Sequence, residues 1–197
     1  MGPRAEKAEA TRARLIEVAA ELFGERGYEA TSIEEVLDRA EVSKGALYHH
    51  FASKEALFEA VYRTGELKCV EEIAKAGLKE TEPLEMLRAG CQAWLDMVLD
   101  PHVRQVAIID GPAVLGWHRL REIDEEYALG LTKEVLQLAA DAGAIRGGNV
   151  DLLAHLALAM LGEAAMVVAL AQDPTKARAE AGEVVDRLVA ALAHGAK

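Results

Sequence analysis

The chain has 197 residues, 51% hydrophobic and only 5% aromatic, which is enough apolar material for one large domain or two small ones. Alanine and leucine dominate the apolar set and no segment alternates polar and apolar over six residues, which excludes a sheet architecture and reads as all-α. The formal net charge of −11, with twelve Asp and Glu against nine Lys and Arg in residues 1–64, excludes a broadly basic nucleic-acid surface, so any DNA reading must come from a motif.

About nine helices are predicted. The first runs from about Glu9 to Arg26, with Ile16, Ala19, Ala20 and Phe23 on one face and Gly27 at its C-terminal cap. Thr31 or Ser32 caps a second that ends at Ala40, and Glu34 and Glu35 in its first turn suit a capping box. Glu41-Val42-Ser43 is a very short connection, and Ser43 caps a third helix from about Lys44 to Phe51. Ser53 opens a fourth that reaches about Lys75, burying Ala56, Leu57, Ala60 and Val61. Pro83 begins a fifth, to about Leu99, and Asp100-Pro101 a short sixth, to about Ile109. Asp110-Gly111-Pro112 reads as a strong break. A long helix follows from about Gly116 or Leu120 to Ala142, closed by Gly143. Beyond a loop at Arg146-Gly147-Gly148-Asn149, Asn149 or Asp151 caps an apolar helix to about Gln172, and Asp173-Pro174 introduces the last helix, Thr175 to His194.

Two short helices joined by a three-residue turn and packed on a preceding helix describe a helix-turn-helix. The second can lie in the major groove while the first fixes its angle. Val42 packs inward, and Gly45 and Ala46 are small where a backbone would approach DNA. Lys44, Tyr48, His49 and Lys54 supply phosphate donors, and the helix start at Ser43 adds backbone N–H groups.

The stretch TSIEEVLDRAEVSKGALYHHFASKEALFEAV resembles the DNA-binding domain of the TetR family, as does the upstream ARLIEVAAELFGERGYEATSI; the match covers roughly residues 9–65. The resemblance implies an N-terminal helix-turn-helix domain over 1–53, and a helical ligand-binding and dimerisation domain over 54–197 with the 54–75 helix connecting them. It implies that Ser32 or Thr31 meets a phosphate, that Lys44 and Gly45 approach the groove, that Tyr48 and Lys54 contact phosphates, that His49 is the exposed histidine, and that Leu47 and Phe51 are core anchors. Ala46 stands where many relatives have threonine, so one hydroxyl contact is missing. DGPAVLGW at 110–117 resembles a sequence of one actinobacterial-type branch.

The 152–171 helix is apolar nearly all round and long enough to span a bilayer, but His155 and Glu163 interrupt it, so a helix buried on several sides of a soluble protein is expected. With the final helix it would form a four-helix dimer interface through Leu156, Met160, Ala164, Val168, Val185, Leu188 and Leu192. An effector pocket is expected among Trp94, Met97, Trp117, His118, Met160 and Met166, with Asp110 or Glu163 as polar orienters; acidic orienters favour a cationic or hydrogen-bonding ligand. Cys69 and Cys91 lack metal or redox spacing, and the N-terminus lacks an apolar leader, so a cytoplasmic protein is expected. No histidine follows a glutamate by three residues, and P-loop and GxSxG patterns are absent, so no enzyme, cofactor or metal is expected. The reading is a repressor released from a palindromic operator when a small-molecule inducer shifts the sixth helix against the fourth; the rival is a helical protein-binding scaffold.

Overall fold

The computed structural model describes residues 2–145 and 148–193. Arg146, Gly147 and His194 of the expected loop and last helix lie outside the described residues. The helices are α1 (Pro3–Arg26), α2 (Ile33–Ala40), α3 (Lys44–His50), α4 (Lys54–Gly77), α5 (Pro83–Met97), α6 (Pro101–Val103, continued by a π-helical stretch Arg104–Asp110), α7 (Gly111–Asp141), α8 (Val150–Leu170) and α9 (Pro174–Leu192). The described residues contain no strand.

Local chemistry sets most boundaries. Ser32 closes a capping box with Glu35, whose carboxylate accepts from the Ser32 N–H at 2.9 Å. Ser43, Ser53, Asn149 and Asp173 cap α3, α4, α8 and α9 through their side-chain oxygens. Proline occupies the first turn of α1, α5 and α9, where a missing N–H costs nothing; this is why α1 starts earlier than expected. The tight turn after α2 depends on Glu41, held left-handed at φ 57°, ψ 41°.

The expected break at Asp110-Gly111-Pro112 is not one. Gly111 is helical at φ −49°, and Pro112 falls in the first turn of α7. Gly111 is needed for space: a Cβ there would lie 2.8 Å from the buried Tyr62 ring. The break comes at Gly116 (φ 73°, ψ 161°), a conformation that only glycine adopts without strain.

The chain packs as two compact units, one of Met1–Gly65 with Pro101–Leu120, the other of Glu66–Asp100 with Arg121–Lys197. The first thus takes in residues 101–120, which a boundary at 53/54 leaves out. Its α1 packs against α2, α3 and the 101–110 stretch, around Leu15, Val18, Leu22, Phe23, Val36, Leu47, Leu57 and Phe58. In the second unit α5, α8 and α9 pack on one another around Leu87, Cys91, Leu95, Leu129, Leu136, Ala154, Val185 and Val189. Burial pushes the free thiols of Cys69 and Cys91 up to about 12, so they stay protonated fillers.

A left-handed conformation costs a side-chain-bearing residue roughly 1–2 kcal/mol, part of which glycine returns as unfolded-state entropy. Glu41→Gly is therefore expected to raise stability by about 0.5–1 kcal/mol, read as a higher urea midpoint at unchanged slope.

Candidate nucleic-acid interface

With seven residues, α3 is too short to persist alone. Ser43 caps its start, accepting from the Ala46 N–H at 3.3 Å. Leu47 is fully buried, and Phe51 is buried beneath the Arg12 guanidinium, 5.5 Å from its ring centre. Anchoring those two leaves Lys44, Gly45, Tyr48 and His49 facing outward, Tyr48 with 47% of its surface exposed. Ala46 is half-buried. The His49 and His50 rings meet edge to face at 5.2 Å. Ser43, Lys44, Gly45, Ala46, Tyr48 and His49 thus share one short helix and its cap, and Ser32 is exposed at the start of α2.

Thr31 is a correction. Only 1% of it is exposed, and its hydroxyl donates to the Leu22 and Gly27 carbonyls, so no phosphate can reach it. Lys54 is half-buried, with its ammonium 4.1 Å from the centre of the Tyr28 ring. Sequence reasoning missed Tyr28, because a contact across 26 residues leaves no trace in periodicity.

Carboxylates partner most cations around this edge. Lys44 pairs with Glu34 at 3.2 Å, Arg26 with Glu35 at 2.7 Å, and Arg39 with Glu21 and Glu25 at 3.4 and 3.6 Å. The Glu34 carboxyl is held below its usual range by its own backbone N–H and by Lys44, and that of Glu35 chiefly by the Ser32 N–H. On α4, Glu59 takes two hydrogen bonds from Arg119, at 2.6 and 3.1 Å, and one from Arg63 at 2.9 Å, which lower its pKa. This clamp holds the start of α7 after the Gly116 kink.

A short capped helix anchored by two core residues, behind a tight turn from a second short helix, is what residues 15–61 share with the family described as bacterial regulatory proteins, tetR family. Residues 84–192 match the tetracyclin repressor-like C-terminal domain. The chain belongs to the TetR family. It is a DNA-binding transcription regulator, and the scaffold alternative falls. The Tn10 TetC protein of Escherichia coli is 29% identical over 142 residues, 72% of each chain. The transcriptional activator FasR of Mycolicibacterium smegmatis is 38% identical over 44% of this chain and 40% of its own. A TetR-family regulator from Pectobacterium atrosepticum superposes over both whole chains with a TM-score of 0.86 at 28% identity. RolR in complex with resorcinol shares the fold at a TM-score of 0.73 and 22% identity, over 98% of this chain and 97% of its own.

The residues expected to line an effector pocket fall in both compact units. Trp94 and Met160 flank the core of the second unit, where Met97 and Met166 are half-buried and Glu163 is exposed. Asp110, Trp117 and His118 belong to the first unit. The Asp110 carboxylate already accepts from the Tyr28 N–H at 2.7 Å, and Trp117 is 72% exposed beside the kink. The dimer residues divide too. Leu156 (58% exposed) and Leu188 (47%) face outward. Val168 and Val185 are core, and Met160, Ala164 and Leu192 pack against it. With Leu156 and Leu188, the large outward apolar residues are Leu152, Val167 and Leu170 on α8 and Val184 on α9. The expectation that α8 is buried on several sides is therefore corrected for the single chain.

Asp124 is the acidic residue that the sequence reading passed over. It lies on the α7 stripe of buried Ile123 and half-buried Tyr127 and Leu131, and burial raises its pKa to about 6. The folded chain therefore holds this proton to higher pH than the unfolded one, and stability falls as pH rises from about 4 through 6. Asp124→Asn is expected to stabilise the protein at pH 8 by about 1–2 kcal/mol after solvent screening, and to leave it unaltered near pH 4. Urea melts at both pH values measure this.

Proposed function

We propose that the chain acts in the cytoplasm as a homodimeric repressor, gripping a palindromic operator through α3 of each protomer and releasing it when a small molecule binds the second unit. The observation that carries this reading is the outward edge of α3: Lys44, Gly45, Tyr48 and His49 face outward on a helix whose other side is fixed by Leu47 and Phe51. One such helix reads only a half-site, so affinity requires two. The apolar residues left outward on α8 and α9 supply the means of pairing. Repression follows the family's common behaviour, and the relatives include a KstR2 repressor of Rhodococcus jostii, 40% identical over 39% of each chain. An effector that donates hydrogen bonds or carries positive charge suits the largely buried carboxylate of Asp124. Here it takes the role first given to Asp110 and Glu163.

Selection of duplexes from a randomised library by the purified protein tests the DNA half. A palindromic site is expected, with Tyr48→Ala and Lys44→Ala each weakening it several-fold. No enrichment at low salt, or a site without two-fold symmetry, overturns the reading. The dimer half is tested by Leu156→Glu combined with Leu188→Glu. Sedimentation should show monomers that keep their helical circular dichroism and lose operator affinity; a dimer that survives both charges would place the interface elsewhere.

A further inference from the structure

Tyr28 makes three kinds of contact at once. Its ring packs between Phe23 and Phe58, with centroids 5.7 and 5.2 Å away. The Lys54 ammonium sits over the ring at 4.1 Å. Its backbone N–H donates to Asp110 Oδ2 at 2.7 Å. The preceding Gly27, at φ 82°, lies so close to the same stretch that a Cβ there would stand 3.0 Å from Gln105 Nε2 and 3.5 Å from Asp110 Oδ2. One residue therefore joins the π-helical 104–110 stretch to a lysine placed four residues beyond the end of the DNA-reading helix. All of these groups belong to the first unit.

We propose that Tyr28 is a positioning residue for DNA binding: its ring posts the Lys54 ammonium beside α3, and its backbone, held by Asp110, ties that post to the π-helical stretch. A lysine on a free surface must be ordered before it can meet a phosphate. Over an aromatic face the ammonium is attracted without being neutralised, so it keeps its charge for DNA. The contrast is Lys44, whose charge is already met by Glu34. π-Helical turns are rare and concentrate at functional sites, and relaxing this one to α-helix would rotate Asp110 away from the Tyr28 N–H. The post and its tether would then come apart together. The proposal rests on α3 being the DNA-reading helix.

The test is a double-mutant cycle in the full-length protein on the duplex selected above, at two salt concentrations. Lys54→Met is expected to weaken binding about tenfold and to flatten the salt slope by about one per protomer. In a Tyr28→Leu background the same change should cost less than about twofold, and in Tyr28→Phe the full tenfold should return, because the ring face is restored. Asp110→Ala should shrink the Lys54 effect as Tyr28→Leu does, and Asp110→Asn, which keeps an acceptor, should restore it. A purely structural Tyr28 would lower the melting temperature and leave the Lys54 effect and salt slope intact. Additive effects in either pair overturn the proposal. So does a silent Lys54→Met while Tyr48→Ala weakens binding, which leaves the DNA-reading assignment standing. If neither Tyr48→Ala nor Lys54→Met has any effect, that assignment fails and takes the proposal with it. Should Tyr28→Leu fail to fold, the Asp110→Ala pair decides alone.

Discussion

The DNA interface depends on one constraint: a seven-residue helix cannot stand by itself. Nucleating a helix is unfavourable, and two turns return too few hydrogen bonds to offset it. Leu47 and Phe51 make α3 stable by sinking into the first unit, and the Ser43 hydroxyl takes the Ala46 N–H in its first turn. The rest of that unit serves this anchorage. Its aromatic cluster of Phe23, Tyr28 and Phe58 lies at the junction of α1 and α4, and α1 holds α2, α3 and the 101–110 stretch against one another. Fixing the inward pair also fixes which residues look out, because side chains on a helix repeat every 3.6 positions.

The acidic composition fits DNA binding only through the details of pairing. Lys44, Arg26 and Arg39 each pair with glutamate, in exposed ion pairs that a phosphate can readily displace. Beside these pairs the reading edge offers the Tyr48 hydroxyl and the His49 ring. Such donors position a protein on a duplex without drawing it to every duplex. Lys54 is held over a ring and not on a carboxylate.

The local features of this fold were legible in the sequence because their causes are local. The serine, asparagine and aspartate caps, Pro83 and Pro174 in first turns and the short Glu41-Val42-Ser43 turn act within four residues, and each appears where expected, whereas Pro3 and Pro112 were not read as helix starts. Features set by distant partners were not legible. Asp110 looked like a loop residue beside a glycine and a proline, yet its carboxylate is bound to a backbone N–H 82 positions away. Thr31 looked as good a cap as Ser32, and only packing decides that its hydroxyl turns inward. On α8 the failure has a different cause. A helix apolar on every side has no amphipathic stripe, so periodicity cannot say which residues face the core, and Val168 could not be told from Leu156.

That same lack of a stripe bears on what covers α8. Its 21 residues are long and apolar enough to cross a bilayer, and one side is left uncovered within the chain. Yet Asn149 caps its start, Asp151 in its first turn pairs with Lys133, and Glu163 stands exposed two-thirds of the way along. A carboxylate at that depth in hydrocarbon is costly, whereas at the edge of a protein interface it stays hydrated. Moreover α9 packs on α8 and adds Val184 and Leu188 to the outward apolar positions while carrying exposed Glu180, Glu183 and Arg187. A surface built from two helices, apolar between charged residues, matches a second copy of itself better than it matches lipid. The proposed dimer would bury it by two-fold symmetry, which is also the symmetry a palindromic site presents.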